Sequence, residues 1–355
     1  MKRAERLPVP VRSTVARLAP YLPPVEGRAG KLRLDFNENT VGCSPAVRRA
    51  LARLSREEIA IYPEYQAVTR RLARFFRVRP EEMLLSNGVD DALRLLFDTF
   101  VDPGTAVAWA EPTFVMYRFY AALAGARVVA LRYDRAMRFP LEDVLRALRK
   151  KPRLLFIANP NNPTGTLVAK PILQRVLRAA ARTLVIVDEA YFEFSGLTVL
   201  PWLRRYANLV VMRTFSKAAG LAGLRLGCVF ANRAVTDALR KTMSPFAVNT
   251  AALAAAEAVT RDLRSVRKYV REVNRAKQQV AAAFARMDIP TFPSASNFVL
   301  ADFGSRAPEI VRRLERRGIL LRDRQSEFGR PGYVRVTIGT RAQMRRLVAA
   351  LEKVC

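Results

Sequence analysis

TLVIVDEAYFEF (residues 183–194) and NLVVMRTFSKAAGLAGLRLG (residues 208–227) are the two stretches of the chain that decide the fold. Each begins with a short continuous run of apolar residues, which is typical of a strand that is buried on both faces. Polar groups follow each run: Asp188 comes after the first, and Ser216 and Lys217 come after the second. In open α/β sheets ligands bind beyond the carboxyl ends of the strands, so these polar side chains are candidates for a site.

The same pattern extends outward from these two stretches. Further apolar runs that we interpret as strands lie at 83–86, 105–110, 127–131, 154–158 and 226–230. Segments with helical periodicity lie between most of them, at about 90–100, 141–149 and 171–181. Buried strands that alternate with helices indicate an α/β fold with a mostly parallel central sheet sandwiched by helices.

The character of the chain changes near residue 250. A long alanine-rich helical stretch runs to about residue 287, and NFVLADF, a helix at 307–317, ILLRD and YVRVTIG follow it. Strands with one interspersed helix indicate a smaller α+β domain. We therefore predict a large domain over residues 46–250, and a small domain in which residues 1–45 pack with residues 251–355.

The composition of the chain indicates whether the protein has membrane segments, a signal peptide or cysteine-based sites. Half of the 355 residues are hydrophobic, and no apolar run approaches the roughly 20 residues that span a bilayer. The first residues are basic but lack the apolar stretch of a signal peptide, so we expect a cytoplasmic protein without a membrane segment. Three distant cysteines, none of them in a CxxC pair, predict neither a zinc site nor a disulfide framework.

The chain contains no histidine. This excludes Ser-His-Asp hydrolysis and zinc chemistry that depends on histidine ligands. If the protein is an enzyme, its proton carrier must be a lysine, a tyrosine, a cysteine or a carboxylate.

The chain is strongly basic, with 61 lysine and arginine residues against 31 acidic residues and a formal charge of +30. A nucleic-acid-binding protein is one reading of that charge. The basic residues are spread over amphipathic helical stretches, however, and form no long tail. We therefore expect weak association with polyanions and no specific nucleic-acid partner.

Polar side chains follow five of the predicted strands, at 86–90, 111–113, 159–165, 188–191 and 213–217. Turns and helix caps explain any one of these clusters, but they explain the whole set poorly. Asn87-Gly88 at the start of a helix could hold a phosphate through backbone amides. Asp188 could keep a ligand's ring nitrogen protonated, and Lys217 in a cleft is what Schiff-base chemistry requires.

Taken together, NNPTG, DEAY, SK and GLRLG resemble, in that order and spacing, the fold-type I aminotransferases, which depend on pyridoxal 5'-phosphate (PLP). Within that group, RTFSKAAGLAGLRLG, DFNENTVGCSP, YPEY and the late ILLRD and YVRVTIGTR segments resemble the histidinol-phosphate aminotransferases. The resemblance covers the chain from about residue 35 to residue 341.

The resemblance implies roles around the cofactor. Lys217 would carry PLP as a Schiff base and move the proton during catalysis, and Asp188 would pair with the pyridinium nitrogen. Tyr191 and Asn162 would bond the ring hydroxyl, and Tyr117 would stack against the ring face. The cofactor phosphate would be held by a set of groups beside a helix N-terminus: the amides of Val89 and Asp90, together with Thr214, Ser216 and Arg225.

The resemblance also implies how substrates and subunits bind. Arg335 would clamp a substrate carboxylate, and Arg322 would contact a second anion, either a phosphate or the side-chain carboxylate of glutamate. The substrate side would be lined by Asn37, Glu38 and Tyr21. Tyr62 would reach the cofactor phosphate of a second subunit, which makes the expected enzyme a homodimer.

The expected reaction is transamination between histidinol phosphate and 2-oxoglutarate in histidine biosynthesis. An aromatic amino-acid aminotransferase and a threonine-phosphate decarboxylase are alternatives within the same fold. A basic nucleic-acid-associated protein with an inactive aminotransferase fold is the alternative from another class. The intact set of Lys217, Asp188, Tyr191 and Arg225 argues against that last alternative.

Overall fold

Two sheets organise the chain in the computed structural model, which describes residues 9–354. Short apolar runs form eleven strands in this part of the chain: β1 Leu32–Leu34, β2 Met83–Ser86, β3 Ala106–Glu111, β4 Arg127–Arg132, β5 Leu154–Ala158, β6 Leu184–Asp188, β7 Leu209–Thr214, β8 Gly227–Ala231, β9 Phe298–Asp302, β10 Ile319–Asp323 and β11 Tyr333–Thr337.

Helices cover both sheets. Within residues 9–354 the α-helices are α1 Ser13–Ala16, α2 Pro45–Ala52, α3 Arg56–Ala60, α4 Tyr65–Phe76, α5 Gly88–Phe100, α6 Val115–Ala124, α7 Leu141–Leu148, α8 Lys170–Ala179, α9 Phe192–Ser195, α10 Arg233–Arg240, α11 Thr250–Arg261, α12 Arg264–Arg286, α13 Ala307–Arg316, α14 Gln325–Phe328 and α15 Arg341–Leu351. Single turns of 3₁₀ helix lie at Pro80–Glu82, Leu200–Trp202, Ala222–Leu224 and Gly304–Arg306. No helix in the described range is long and apolar enough to cross a membrane.

The larger sheet has seven strands in the order β2-β8-β7-β6-β5-β3-β4. Strand β8 runs antiparallel to both of its neighbours, and the remaining pairs are parallel. The predicted α/β fold with a mostly parallel sheet is confirmed. The parallel pairing of β5, β6 and β7 brings the ends of these three strands to one edge of the sheet.

Except at the edge strand β4, whose side chains are partly or fully exposed, both faces of this sheet are buried, which explains why the other strands are rich in apolar residues. Side chains alternate along β6, so Val185 and Val187 enter one hydrophobic cluster while Ile186 enters the other. On the second face, α5 and α6 add aromatic rings, and Phe97 stacks on Phe156 at 5.5 Å between ring centres. The sheet is therefore a rigid platform for the residues that follow its strands.

The smaller sheet has four strands in the order β1-β10-β11-β9. Strand β1 pairs in parallel with β10, whereas β11 pairs antiparallel with β10 and β9. Through β1, the segment that follows at 35–44 is brought against the large sheet, where Asn39 donates a hydrogen bond of 2.9 Å to the carbonyl of Ala218.

The predicted single helix from 250 to about 287 is wrong, because the chain breaks between α11 and α12. Asp262 lies at the break with extended backbone. Its carboxylate accepts the backbone N–H of Arg264 at 3.0 Å and pairs with the Arg264 guanidinium at 2.9 Å. An aspartate that bonds a nearby amide competes with helical hydrogen bonding, so the first helix ends and a second one begins.

Candidate active site

A cavity of about 530 Å³ opens where the ends of β5, β6 and β7 meet the start of α5 and the smaller sheet. This volume lies within the range of about 300–1,000 Å³ that is common for small-molecule sites. All of the predicted site residues except Tyr62 and Tyr117 line this cavity: Tyr21, Asn37, Glu38, Val89, Asp90, Asn162, Asp188, Tyr191, Thr214, Ser216, Lys217, Arg225, Arg322 and Arg335.

Lys217 lies half-buried on the loop after β7. Its Nζ donates a hydrogen bond of 3.0 Å to the carbonyl of Phe36 and lies 5.9 Å from the centre of the Tyr191 ring. Gly220 closes this loop with φ +73°, and its N–H donates to the carbonyl of Lys217 at 3.1 Å. A Cβ atom on Gly220 would lie 2.8 Å from the carbonyl oxygen of Gly42, so glycine is needed for the N-terminal segment to approach the lysine loop.

Asp188 ends β6 and is 4 % exposed. Its Oδ2 accepts a hydrogen bond of 2.8 Å from the Tyr117 hydroxyl, and its Oδ1 accepts one of 3.1 Å from the N–H of Ala190. Burial raises the pKa of Asp188 to about 6, although both hydrogen bonds oppose the change. A buried carboxylate at a cavity wall is suited to a cationic N–H group on a ligand, which would supply the missing counter-charge.

Tyr117 does not occupy the predicted position against a ligand ring. It is fully buried, and its ring stacks on Phe156 at 4.8 Å between ring centres. A buried tyrosine hydroxyl requires a partner, and Asp188 provides it. Phe114 instead lines the cavity, with its ring perpendicular to that of Tyr117 at 5.8 Å. The predicted position of Tyr117 in the cavity wall is wrong, because its ring is buried behind Asp188, and Phe114 is the aromatic residue of this segment that lines the cavity.

The start of α5 is a candidate anion site. Asn87 precedes the helix without a side-chain cap, so the first backbone N–H groups are available to a ligand. Gly88 has φ +78°, and a Cβ atom there would lie 2.6 Å from the guanidinium of Arg225. The missing side chain therefore allows Arg225 to lie over the first turn of α5, where it pairs with Asp90 at 3.2 Å.

Two residues with hydroxyl side chains, Thr214 and Ser216, line the cavity together with this candidate anion site. Thr214 ends β7, and its hydroxyl accepts the backbone N–H of Ser216 at 3.0 Å. Both residues line the cavity together with Arg225. Helix amides, hydroxyls and a guanidinium suit a phosphate, while Asp188 suits a pyridinium nitrogen and Lys217 suits an aldehyde. The residues present therefore fit PLP.

Tyr191 and Asn37 join the two sheets at the cavity. The Nδ2 of Asn37 donates to the Tyr191 hydroxyl at 2.9 Å. Asn37 has φ +57°, and the hydroxyl of Thr337 both accepts its backbone N–H and donates to its Oδ1, each at 3.0 Å. Because the Tyr191 oxygen accepts from Asn37, its own proton is free to be donated to a ligand.

Arg335 lies on β11 and is 5 % exposed. It donates to Oδ1 of Asn162 at 2.6 Å and to the carbonyl of Asp35. Burial and, to a smaller extent, the charge of nearby Arg324 lower the pKa of Arg335 to about 9. The hydrogen-bond partners of Arg335 within residues 9–354 are the Asn162 amide and the Asp35 backbone carbonyl, and neither carries a charge. A bound anion would therefore supply the counter-charge of Arg335.

Arg322 lies at the mouth of the cavity. Its guanidinium donates to the Tyr21 hydroxyl at 3.4 Å and lies 5.5 Å from the centre of the Phe36 ring. Glu38 also lines the cavity, but Arg28 holds its carboxylate at 2.8 Å. Burial alone would raise the pKa of Glu38, and the Arg28 hydrogen bond and charge lower it below the ordinary value. Glu38 is thus bound to another arginine and leaves Arg322 free for a ligand.

Arg324 is a cavity residue that the sequence reasoning missed. It follows β10 and lines the same cavity as Arg322 and Arg335. The signal was available in ILLRDR, because residues two apart in an extended segment project to the same side. Three guanidinium groups on or next to β10 and β11 therefore line the cavity.

Tyr62 lies on the outer surface, not in the cavity. It is 72 % exposed, and its ring stacks on Phe246 at 4.0 Å between ring centres. Nothing within the single chain tests the prediction that Tyr62 reaches the cofactor phosphate of a second subunit.

The family model for aminotransferase class I and II matches residues 29–351. The chain therefore belongs to the class I and II aminotransferases, and it is a PLP-dependent enzyme with the type I fold.

Within this class, histidinol-phosphate aminotransferases are similar along the whole chain. The enzyme of Symbiobacterium thermophilum is 39% identical over 355 residues, which cover 96% of this chain and 98% of the relative. The crystal structure of the histidinol-phosphate aminotransferase from Sinorhizobium meliloti, in complex with pyridoxal-5'-phosphate, is 28% identical, has a TM-score of 0.88 and is matched over 97% of each chain. The structure of L-threonine-O-3-phosphate decarboxylase from Porphyromonas gingivalis is 25% identical, has a TM-score of 0.80, and is matched over 91% of this chain and 98% of its own.

Proposed function

We propose that this aminotransferase exchanges an amino group between histidinol phosphate and 2-oxoglutarate in histidine biosynthesis. The observation that carries the proposal is the pair Arg322 and Arg335. Both line the cavity, and the hydrogen-bond partners of both in the described part of the chain are uncharged groups. Histidinol phosphate brings a phosphate and glutamate brings two carboxylates, so both substrates supply anions to this end of the cavity.

Lys217 is the proposed catalytic base and the covalent anchor of the cofactor. When bound, PLP would supply an aldehyde for the donor's amino group and a ring that withdraws electrons from the adjacent carbon. The Nζ of Lys217 then removes the proton from the substrate Cα and returns a proton at the end of the transfer. Its position beside the Phe36 carbonyl, with no histidine in the chain, supports this role.

Asp188 and Tyr191 are assigned to the nitrogen and the hydroxyl oxygen of the cofactor ring, where they would adjust its electron distribution. Asp188 holds the proton on the ring nitrogen, and its burial together with the hydrogen bond from Tyr117 supports this role. Tyr191 donates its free proton to the ring oxygen. Asn162 reaches the same oxygen through its amide nitrogen, because Arg335 occupies its carbonyl oxygen at 2.6 Å.

The phosphate of the cofactor is assigned to the anion site at the start of α5. The amides of Val89 and Asp90 donate to it, and the remaining donors are Thr214, Ser216 and Arg225. Phe114 packs against the ring face, in place of the Tyr117 that sequence reasoning had chosen.

Substrate binding falls to the groups of the smaller sheet and the N-terminal segment. Arg335 clamps one anion bidentately, and Arg322 contacts the phosphate or the glutamate side chain. Tyr21, Asn37 and Glu38 shape the entrance. Glu38 acts by fixing Arg28, with which it forms an ion pair of 2.8 Å.

The active enzyme is proposed to be a cytoplasmic homodimer. Tyr62 and Phe246 form an exposed aromatic pair, and Ile59 and Ile61 beside them are 67 % and 58 % exposed. Exposed apolar side chains grouped in this way are typical of a protein interface. A second copy would bury them and bring Tyr62 to the phosphate of the neighbouring cofactor.

A phosphothreonine decarboxylase is the second candidate, since one such enzyme is 25% identical to this chain. Both candidates use a phosphate monoester, so the arginines alone do not separate them. A donor panel of histidinol phosphate, O-phosphothreonine, glutamate and phenylalanine, tested with the PLP-loaded protein, does. We expect amino transfer from histidinol phosphate to 2-oxoglutarate to be fastest.

The same panel should be repeated with Arg322→Ala. Loss of one charge-assisted contact of about 1.5–3 kcal/mol should lower kcat/KM for histidinol phosphate by roughly ten- to a hundredfold. Phenylalanine has no second anion and should change much less. Release of CO₂ from O-phosphothreonine would support the second candidate, and faster turnover of phenylalanine than of histidinol phosphate in the parent would refute the proposal.

A further inference from the structure

The substrate end of the cavity carries more positive charge than its own carboxylates balance. Arg322, Arg324 and Arg335 all line it. Arg324 is paired with Glu327, with 2.8 Å between the guanidinium and the carboxylate. The hydrogen-bond partners of Arg322 and Arg335 in residues 9–354 are uncharged. Glu38 also lines the cavity, but Glu38 and Asp35 are paired with Arg28 and Arg33, so Glu327 is the carboxylate left to balance the three guanidiniums.

Arg324 is held firmly in this cluster. Its backbone N–H donates to the carbonyl of Tyr333 at 2.9 Å, which extends the pairing of β10 with β11. The side chain is 5 % exposed. Its Nε is buried and has no hydrogen-bond partner among the described residues. An unsatisfied buried donor is costly, and a ligand atom or a water molecule would relieve that cost.

The charge count identifies the preferred ligand. Three guanidiniums and Glu327 leave two positive charges. A carboxylate or another singly charged anion neutralises one of them, whereas a phosphate dianion neutralises both. Because the cluster is largely buried, the remaining repulsion is screened little by water or salt. Burial and the charge of Arg322 already lower the pKa of Arg324 below its ordinary value, which is consistent with mutual repulsion.

We propose that Arg324 determines specificity by favouring a doubly charged phosphate monoester over singly charged anions at the substrate end of the cavity. This inference rests on the proposed function for the identity of the natural substrate. The preference for a dianion follows from the charges of the cluster alone, so it can be tested without turnover.

Ethyl phosphate and ethyl sulfate are matched probes, because they have nearly the same shape and differ by one charge above the second phosphate pKa of about 6. Both are titrated into the PLP-loaded protein at pH 8 by calorimetry, with bound cofactor filling the other anion site. We expect the parent to bind ethyl phosphate about tenfold or more tightly than ethyl sulfate. Arg324→Gln should bring the two dissociation constants to within about threefold of each other.

Two variants serve as controls. Arg330→Gln removes the same charge from an exposed side chain that contacts Asp302 and Tyr333, and it should leave the ratio of the two dissociation constants unchanged. Arg324→Lys keeps the charge and should retain most of the preference, which also covers the case in which Arg324→Gln does not fold.

A parent protein that binds both probes equally would overturn the inference. Equal weakening of both probes in Arg324→Gln would also overturn it, because a purely structural role predicts that result. A protein that prefers ethyl phosphate through Arg324 but does not turn over histidinol phosphate would support the inference and contradict the proposed function. The substrate would then be a different phosphate monoester.

Discussion

Replacing Asp188 by asparagine should make the cofactor-free protein more stable at neutral pH while abolishing most of its activity. The carboxylate is 4 % exposed, and its nearest partners are the neutral Tyr117 hydroxyl and the N–H of Ala190. An asparagine can keep both contacts, since its oxygen accepts from Ala190 and its amide donates to the tyrosine oxygen. The substitution therefore removes a buried charge with little change of shape.

The magnitude follows from the pKa of Asp188, which rises from 3.8 to about 6 because of burial. Since the pKa is higher in the folded state, folding favours the protonated acid. This contribution to stability is complete below about pH 4 and is lost as the pH rises through about 6. The separation of the two pKa values corresponds to a loss on the order of 3 kcal/mol, which the asparagine variant does not suffer.

Denaturant unfolding of both PLP-free proteins at pH 4 and at pH 7 measures this effect. The difference in unfolding free energy, variant minus parent, should increase by about 2 kcal/mol between the two pH values, because part of the loss has already occurred at pH 4. The comparison cancels the titration of all other groups. In the loaded enzyme kcat should fall by at least about a hundredfold, because the charge that keeps the ring nitrogen protonated is gone. A difference that does not vary with pH, or a loaded variant with normal kcat, would refute the reasoning.

Three further predictions concern the anchor, the assembly and the surface charge. The purified protein should be yellow, and Lys217→Ala should fold with a similar melting temperature but lose turnover by several orders of magnitude, since anchor and proton carrier both disappear; turnover near the parent's would sink the assignment. Sedimentation should show a homodimer. The Tyr62→Phe variant should retain the cofactor less tightly but remain a dimer. An active monomer at low protein concentration would contradict this prediction. Because of its net charge of +30, the protein should bind polyanions weakly and without sequence preference, and the affinity should fall steeply with salt concentration. Tight binding of one nucleic-acid sequence at physiological salt would instead support the nucleic-acid alternative.

The fold was predictable because its strands are buried on both faces. Continuous apolar runs mark β5, β6 and β7, and the predicted limits of β5 at 154–158 are those of the structure. The break between α11 and α12 was not predictable from periodicity, because the apolar positions continue through it and one aspartate side chain decides it. The domain limits at residues 45 and 250 stay a prediction.

Most of the cavity lining could also be predicted, since the ends of parallel strands must meet at one edge of a sheet. Lys217, Asp188 and Arg225 come together for that reason. The strand ends do not tell which of the two aromatic residues Phe114 and Tyr117 lines the cavity. Both lie within one helical turn near the start of α6, and only the packing decides which of them faces the cavity and which one is buried on Phe156.

The position of Tyr117 behind Asp188 has a consequence for how the site works. A tyrosine in the cavity wall would contact a ligand, whereas Tyr117 contacts the carboxylate that the ligand needs. Its hydrogen bond favours the charged form of Asp188 and opposes the effect of burial. Burial makes the carboxylate a strong partner for a cation, and Tyr117 keeps it ionised and correctly oriented until that cation arrives. The two effects oppose each other in the pKa of Asp188 and act together in the binding of a protonated ring.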